Sequence, residues 1–127
     1  DRGQVMSKSI AYDKAFDFAV QIIELYKYLS EEKREYVISK QILRSGTSIG
    51  ANIKEALQGS SKRDFIYKVN ISLKEASETE YWLELLRASN YIDQKKHESL
   101  LYNCQELIKI TTAIIKTSKQ SNHRGES

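Results

Sequence analysis

The stretch Arg44 to Ala56, RSGTSIGANIKEA, constrains this chain more than any other. It holds Gly46 and Gly50, two of only five glycines, inside sequence that is otherwise helical: Ile38, Ile42, Ile49, Ile53 and Leu57 recur at spacings that keep one helix face apolar. An interior glycine costs a helix about 1 kcal/mol relative to alanine, and Ser45, Thr47 and Ser48 beside the pair lower helix propensity further. Two things could offset that cost. Small residues permit very close approach of a neighbouring helix, and a bare backbone permits close approach of a ligand or partner. The packing reading is taken forward for Gly46 and Gly50, and it asks for a helical architecture.

The rest of the composition agrees. Proline is absent from all 127 residues, which favours long uninterrupted helices over a turn-rich β fold. Charged residues at 29% and apolar residues at 40% make a globular balance, and the length is that of one domain. No apolar run approaches the roughly 18–20 residues of a membrane span. The opening DRGQVMSKS lacks the apolar region of a secretory leader, and Met6 is the expected natural start. The single cysteine, Cys104, excludes an internal disulfide and suits a reducing cytoplasm. Cys104 also lies on an apolar stripe, where a small buried hydrophobe is the expected role.

Four helices follow in order. Helix one spans about residues 10–29 and carries two apolar stripes, Ala15, Phe18, Ile22, Leu25 and Leu29 beside Tyr12, Phe16, Ala19, Ile23 and Tyr26. So broad an arc contacts more than one neighbour. Helix two covers about 36–58 and stops at Gly59, placed where a positive φ is wanted. Ser60 or Ser61 caps helix three, which runs to about 89 with Asp64 in its first turn, and Asn90 stops it. Asp93 caps helix four, which spans about 94–119. Residues 1–9 and 120–127 are expected to be disordered. Long helices with short links give an all-α, antiparallel up-down-up-down four-helix bundle over residues 10–119.

Cofactor chemistry finds no foothold. A di-iron bundle needs paired Glu-x-x-His motifs, but only His97 and His123 exist, with Gln94 three before the first. One cysteine and two distant histidines hold no zinc. Gly46 and Gly50 lie within a helix and not in a phosphate loop between strand and helix. No enzyme and no cofactor are expected. Arg44, Ser48, Asn52, Glu55, Glu75 and Glu78, with Lys68, could form a structural network pairing helices two and three, with Asn52 and Glu55 its favoured, partly buried members; solvated surface pairs are the plain alternative.

Net charge is +3. Residues 107–127 carry four basic side chains against Glu126 alone, so the first 106 residues are balanced. In helix four, Lys95, Tyr102, Lys109 and Lys116 fall seven apart, with Lys119 just beyond. Lysines neutralise phosphates and tyrosine stacks on bases, although an ordinary solvated helix face has the same appearance.

The combination of RSGTSIGANIKEA, GSSKRDFIYK and LKEASETEYWLELL resembles the small four-helix-bundle proteins encoded by intervening sequences of bacterial large-subunit ribosomal RNA genes. The pattern Arg44-Ser45, Ser48-Ile49, Asn52-Ile53 and Glu55, then Glu75, Glu78, Tyr81 and Trp82, carries the likeness over residues 12–115. Ala56 stands where that pattern often has glycine. The resemblance implies a homo-oligomer of five copies and no catalytic activity. It also implies kinship with the basic pentameric accessory protein of diversity-generating retroelements, which binds nucleic acid. The expected partners are therefore further copies of the chain and RNA or ribonucleoprotein, with no membrane. A protein-partner scaffold without nucleic acid is the alternative.

Overall fold

A computed structural model describes the backbone of residues 2–123, and the side chains of Lys8 and of residues 10–120. It is an all-α four-helix bundle: α1 Arg2–Lys27, α2 Ile38–Leu57, α3 Lys62–Ala88 and α4 Gln94–His123. Consecutive helices pack side by side and α4 returns against α1, the antiparallel up-down-up-down arrangement.

Both ends are more helical than the sequence suggests. α1 begins at Arg2, eight residues before the expected start, and α4 continues to His123. No proline interrupts either extension. The Lys8 ammonium lies 4.2 Å from the centre of the Phe65 ring, a cation–π contact that ties the front of α1 to α3. Residues 124–127 of the expected tail lie outside the described residues.

Of the two α1 stripes, one makes the core. Ala11, Ala15, Phe18, Ile22, Leu25 and Leu29 are buried, together with Ile42, Ile49 and Ile53 of α2, Val69, Ala76, Leu83 and Leu86 of α3, and Leu100, Cys104, Leu107, Ile114 and Ile115 of α4. Each fully buried large aliphatic or aromatic side chain contributes about 1.5–3 kcal/mol of transfer free energy. The second stripe lies at the edge of the core: Tyr12, Ala19 and Tyr26 are half-buried, while Phe16 is 55% exposed and Ile23 40%, alongside Val20 at 44%.

The connections show where local chemistry overrides pattern. α1 runs into a π-helical turn over Tyr28–Glu32, and Arg34 beyond it takes φ 53°. The Glu35 carboxylate then serves as the cap of α2. Its Oε2 accepts from the Val37 N–H at 3.2 Å and the Ile38 N–H at 3.0 Å, and its Oε1 from the Ser39 N–H at 2.7 Å. These are donors that a helix start leaves unpaired, and a negative charge there also meets the favourable end of the helix dipole. α2 ends without a left-handed residue: Gly59 N–H bonds the Ala56 carbonyl at 3.1 Å, and a Cβ on Gly59 would stand 3.2 Å from that same oxygen. The left-handed terminator is Asn90 instead, at φ 66°. With it come the two bonds of a Schellman ending, Tyr91 N–H to Leu86 O at 2.9 Å and Asn90 N–H to Arg87 O at 3.1 Å. Ser61 caps α3 by accepting from the Asp64 N–H at 3.1 Å, and Asp93 caps α4 by accepting from the Lys96 N–H at 2.8 Å.

Gly46 and Gly50 both face α1, at different clearances. A Cβ on Gly46 would lie 2.8 Å and 2.9 Å from the two γ carbons of Ile22, which is fully buried and has no room to withdraw. A Cβ on Gly50 would lie 3.4 Å from Ala15 Cβ, at the near edge of ordinary contact. Gly46→Ala is therefore expected to lose about 1–2 kcal/mol, overpacking outweighing the helix-propensity gain. Gly50→Ala is expected to be neutral or to gain up to about 1 kcal/mol. Urea unfolding at matched protein concentration reads both; equal shifts in the same direction would contradict the packing assignment.

Candidate functional site

Two faces of α2 hold the bundle in register. The face toward α3 is lined by small residues and hydroxyls. Thr79 Oγ1 lies 2.8 Å from the Glu75 carbonyl and 2.8 Å from Ser45 Oγ, donating to the carbonyl and accepting from the serine. Ser72 donates to the Ile49 carbonyl at 2.9 Å. All three side chains are buried and all are paired, as buried hydroxyls need to be.

Outside this layer the ionic residues separate into two groups. Arg44 Nη1 donates to both oxygens of Glu75 at 3.2 and 3.0 Å, and Nη2 donates to Glu78. The indole N–H of Trp82 donates to the same Glu78 oxygen at 2.9 Å. The Arg44 and Trp82 hydrogen bonds hold the Glu78 carboxyl below its usual range, and Glu78 in turn raises the Arg44 guanidinium. Further along, Lys68 Nζ bonds Glu55 Oε1 at 2.7 Å. Ser48 and Asn52 belong to neither group. Ser48 donates to the Arg44 carbonyl at 2.6 Å and Asn52 to the Ser48 carbonyl at 2.8 Å, both within α2. Asn52 is half-buried, and Glu55 is exposed rather than buried. The cross-helix pairing thus rests on Arg44, Glu75 and Glu78, with Trp82 as a member the sequence reading left out; its spacing of four from Glu78 is the signal that could have found it.

On α4 the described geometry gives Cys104 a structural place. Burial, aided by the Glu80 charge, pushes its thiol up to about 12, so it stays protonated at neutral pH and donates to the Ala76 carbonyl at 3.2 Å. His97 Nε2 is buried 3.7 Å from Glu84 Oε2, beyond hydrogen-bond distance. Among the described residues no group of three or more His, Cys, Asp or Glu side chains is placed to hold a metal ion, and no helix is long and apolar enough to cross a membrane.

Lys95, Tyr102, Lys109, Lys116 and Lys119 are all exposed on the side of α4 away from the core. Tyr102 is 64% exposed. At about 1.5 Å per residue, Lys95 to Lys116 spans about 31 Å. The line is not purely basic. Glu106 lies 3.8 Å from Lys109, and exposed Glu98 accepts from Gln94 at 2.8 Å.

The ionic group gives a pH test with a definite sign. A carboxyl held low in the folded state stabilises the fold above its ordinary titration range and loses that contribution as pH falls through its folded value. Arg44→Met should cost under about 1 kcal/mol at neutral pH, since the guanidinium is half exposed. It should also flatten the loss of stability between about pH 5 and pH 3. Denaturant unfolding across that range checks it, and an unchanged acid slope would show that Arg44 does not hold Glu78.

Comparison with known proteins adds the lineage. The profile described as 23S rRNA-intervening sequence protein matches residues 7–113. A crystal structure of a protein of unknown function from the S23 ribosomal protein family of Bacteroides thetaiotaomicron VPI-5482 is 55% identical. It covers 87% of this chain and 98% of its own, with a TM-score of 0.86. A comparison with curated proteins finds no match. With its four helices in the same arrangement, this chain belongs to the 23S rRNA-intervening sequence protein family.

Proposed function

We propose that this chain is a non-enzymatic, cytoplasmic bundle that assembles with itself, as a ring of five copies, and associates with RNA or ribonucleoprotein. The observation that carries the reading is the division of its outer surface. α1 turns Phe16, Val20 and Ile23 outward as one apolar face, with Tyr12 and Ala19 half-buried at its edge, and α4 turns a line of lysines and a tyrosine outward elsewhere. An apolar helix face outside the core is what a helix packed against a further copy requires. A line of exposed cations is what a phosphate backbone requires. The family's description as an rRNA-intervening sequence protein supports the choice of RNA.

Assembly matters to the electrostatics. One chain at +3 makes a weak field, whereas five copies carry +15, enough to draw a polyanion if the α4 lines share one surface. The apolar face of α1 also favours a second reading, in which it receives a different protein and RNA plays no part.

One experiment separates these. Sedimentation establishes the oligomer, and binding of a ribosomal RNA hairpin is followed across a salt series. The expected result is binding that weakens steeply with salt, and a logarithmic slope reduced by about two in Lys109→Glu/Lys116→Glu, about one per lost phosphate contact. An oligomeric protein that binds no RNA at low salt would leave the protein-scaffold reading in its place.

A further inference from the structure

α3 carries a second outward line that the sequence reading left unused. Arg63, Tyr67, Asn70, Lys74, Ser77 and Tyr81 fall four, three, four, three and four apart, the spacing of one helix stripe. It lies opposite the buried stripe of Phe65, Val69, Ser72, Ala76, Thr79 and Leu83. Tyr67 is 63% exposed and Tyr81 59%, and the Tyr81 ring also meets Trp82 in a T-shaped contact with centres 5.1 Å apart. Arg63 and Lys74 are exposed and enter no ion pair among the described residues. The line itself contains no carboxylate. Of the acids beside it, Glu78 is tied to Arg44 and Trp82, Glu80 accepts from Gln105 at 2.9 Å, and Glu84 is turned toward His97.

The two outward lines are also in step. The Cys104 thiol on the Ala76 carbonyl and the Gln105 amide on Glu80 set the antiparallel register of α3 and α4. That register brings Lys74 level with Lys109, and Tyr81 level with Tyr102, to within about one helical turn. Adjacent helices therefore present cations and exposed aromatic rings at matching heights. Two tyrosine rings at the surface of the bundle, flanked by cations that enter no ion pair among the described residues, do not serve the core.

From this we infer that the outer surface of α3 and α4 is a stacking platform for an unpaired RNA strand, with Tyr67 and Tyr81 taking bases and Arg63 and Lys74 taking phosphates. This deepens the RNA reading proposed above and rests on it. The chemistry selects single strands because a tyrosine face stacks only on a base whose own face is free, and duplex bases are already stacked on each other. Dimensions agree. Tyr67 and Tyr81 stand about 21 Å apart along the helix. A strand stacked at about 3.4 Å per nucleotide would place about six nucleotides between them, within the roughly 4–16 nucleotide footprints of known single-strand platforms.

The test uses the full chain and two labelled probes, an unstructured RNA of about twelve nucleotides and an RNA hairpin, followed by fluorescence anisotropy at fixed salt. The unmodified protein should prefer the single strand. Tyr67→Ala and Tyr81→Ala should each weaken single-strand binding about five- to a hundred-fold while leaving the salt slope and the hairpin affinity unchanged. Tyr67→Phe and Tyr81→Phe should retain binding, since the ring and not the hydroxyl stacks. Lys109→Glu/Lys116→Glu should weaken both probes and lower the slope. If Tyr67→Ala/Tyr81→Ala binds the single strand as the parent does, or if the parent favours the hairpin, the platform is overturned, and a loss in the lysine variant then leaves RNA association standing. If the parent binds neither probe at low salt, both readings fall.

Discussion

The contact on which the rest of this bundle depends is that of Ile22 with the bare backbone at Gly46. A hydrogen in place of a methyl lets α1 settle against α2 so closely that a Cβ would stand 2.8 Å from the isoleucine. One turn along, Ala15 meets Gly50 with a little more room. The glycines lower the intrinsic stability of α2 by about 1 kcal/mol each, and what compensates is the burial of Ala15, Phe18 and Ile22. The opposite flank of α2 solves a different problem. There Ser45 and the Ile49 carbonyl meet Thr79 and Ser72, so the close approach to α3 is made by hydroxyls that bond one another and the backbone. α2 is thus the central element, packed by shape toward α1 and by hydrogen bonds toward α3.

This arrangement decides what is left on the outside. Because α1 uses its narrow alanine- and isoleucine-containing stripe to reach α2, its larger neighbours Phe16, Val20 and Ile23 stay outside the core, Phe16 touching only the Tyr12 ring of its own helix among the aromatic contacts of the described residues. Because α3 faces inward with Val69, Ser72, Ala76 and Thr79, its tyrosines Tyr67 and Tyr81 are turned out. The polar edge of α1 meets α4 instead, where Asn103 donates to Gln21 at 3.0 Å. The half-exposed Arg44, Glu75 and Glu78 group contributes little energy of its own. Its value is in direction: one guanidinium joined to two carboxylates fixes the rotation of α2 against α3, and Trp82 holds one of those carboxylates from the other side.

Much of the fold was legible in residue spacing. Four helices, a serine cap at Ser60 or Ser61 that the structure places at Ser61, the Asp93 cap and the stop at Asn90 all follow from local chemistry that acts within a few residues. The connection at 28–37 was not legible, because Glu35 caps α2 only once the π-helical turn has placed it there, and propensity says nothing of that path. Gly59 misled for a related reason. Glycine after a helix usually signals a left-handed residue, but here it makes room beside the Ala56 carbonyl. Asn52 misled because an amide four residues from a free carbonyl acceptor bonds its own helix as readily as a neighbour. Periodicity also could not say which of two apolar stripes on α1 turns inward, since both have helical spacing and only the fit against Gly46 distinguishes them. For the candidate surface, the sevenfold line of lysines on α4 is visible in the sequence, while its counterpart on α3 mixes Arg63, Tyr67, Asn70, Lys74, Ser77 and Tyr81 and carries no single residue type to mark it.

The central functional claim is that RNA lies on the outer surface of α3 and α4 and not on α1 or α2. Photocrosslinking of bound RNA, with the attached peptides mapped by mass spectrometry, tests it most directly. Adducts are expected on the peptides that contain Tyr67, Tyr81 and Tyr102. Adducts confined to α1 and α2, with these tyrosines unmodified, would contradict it.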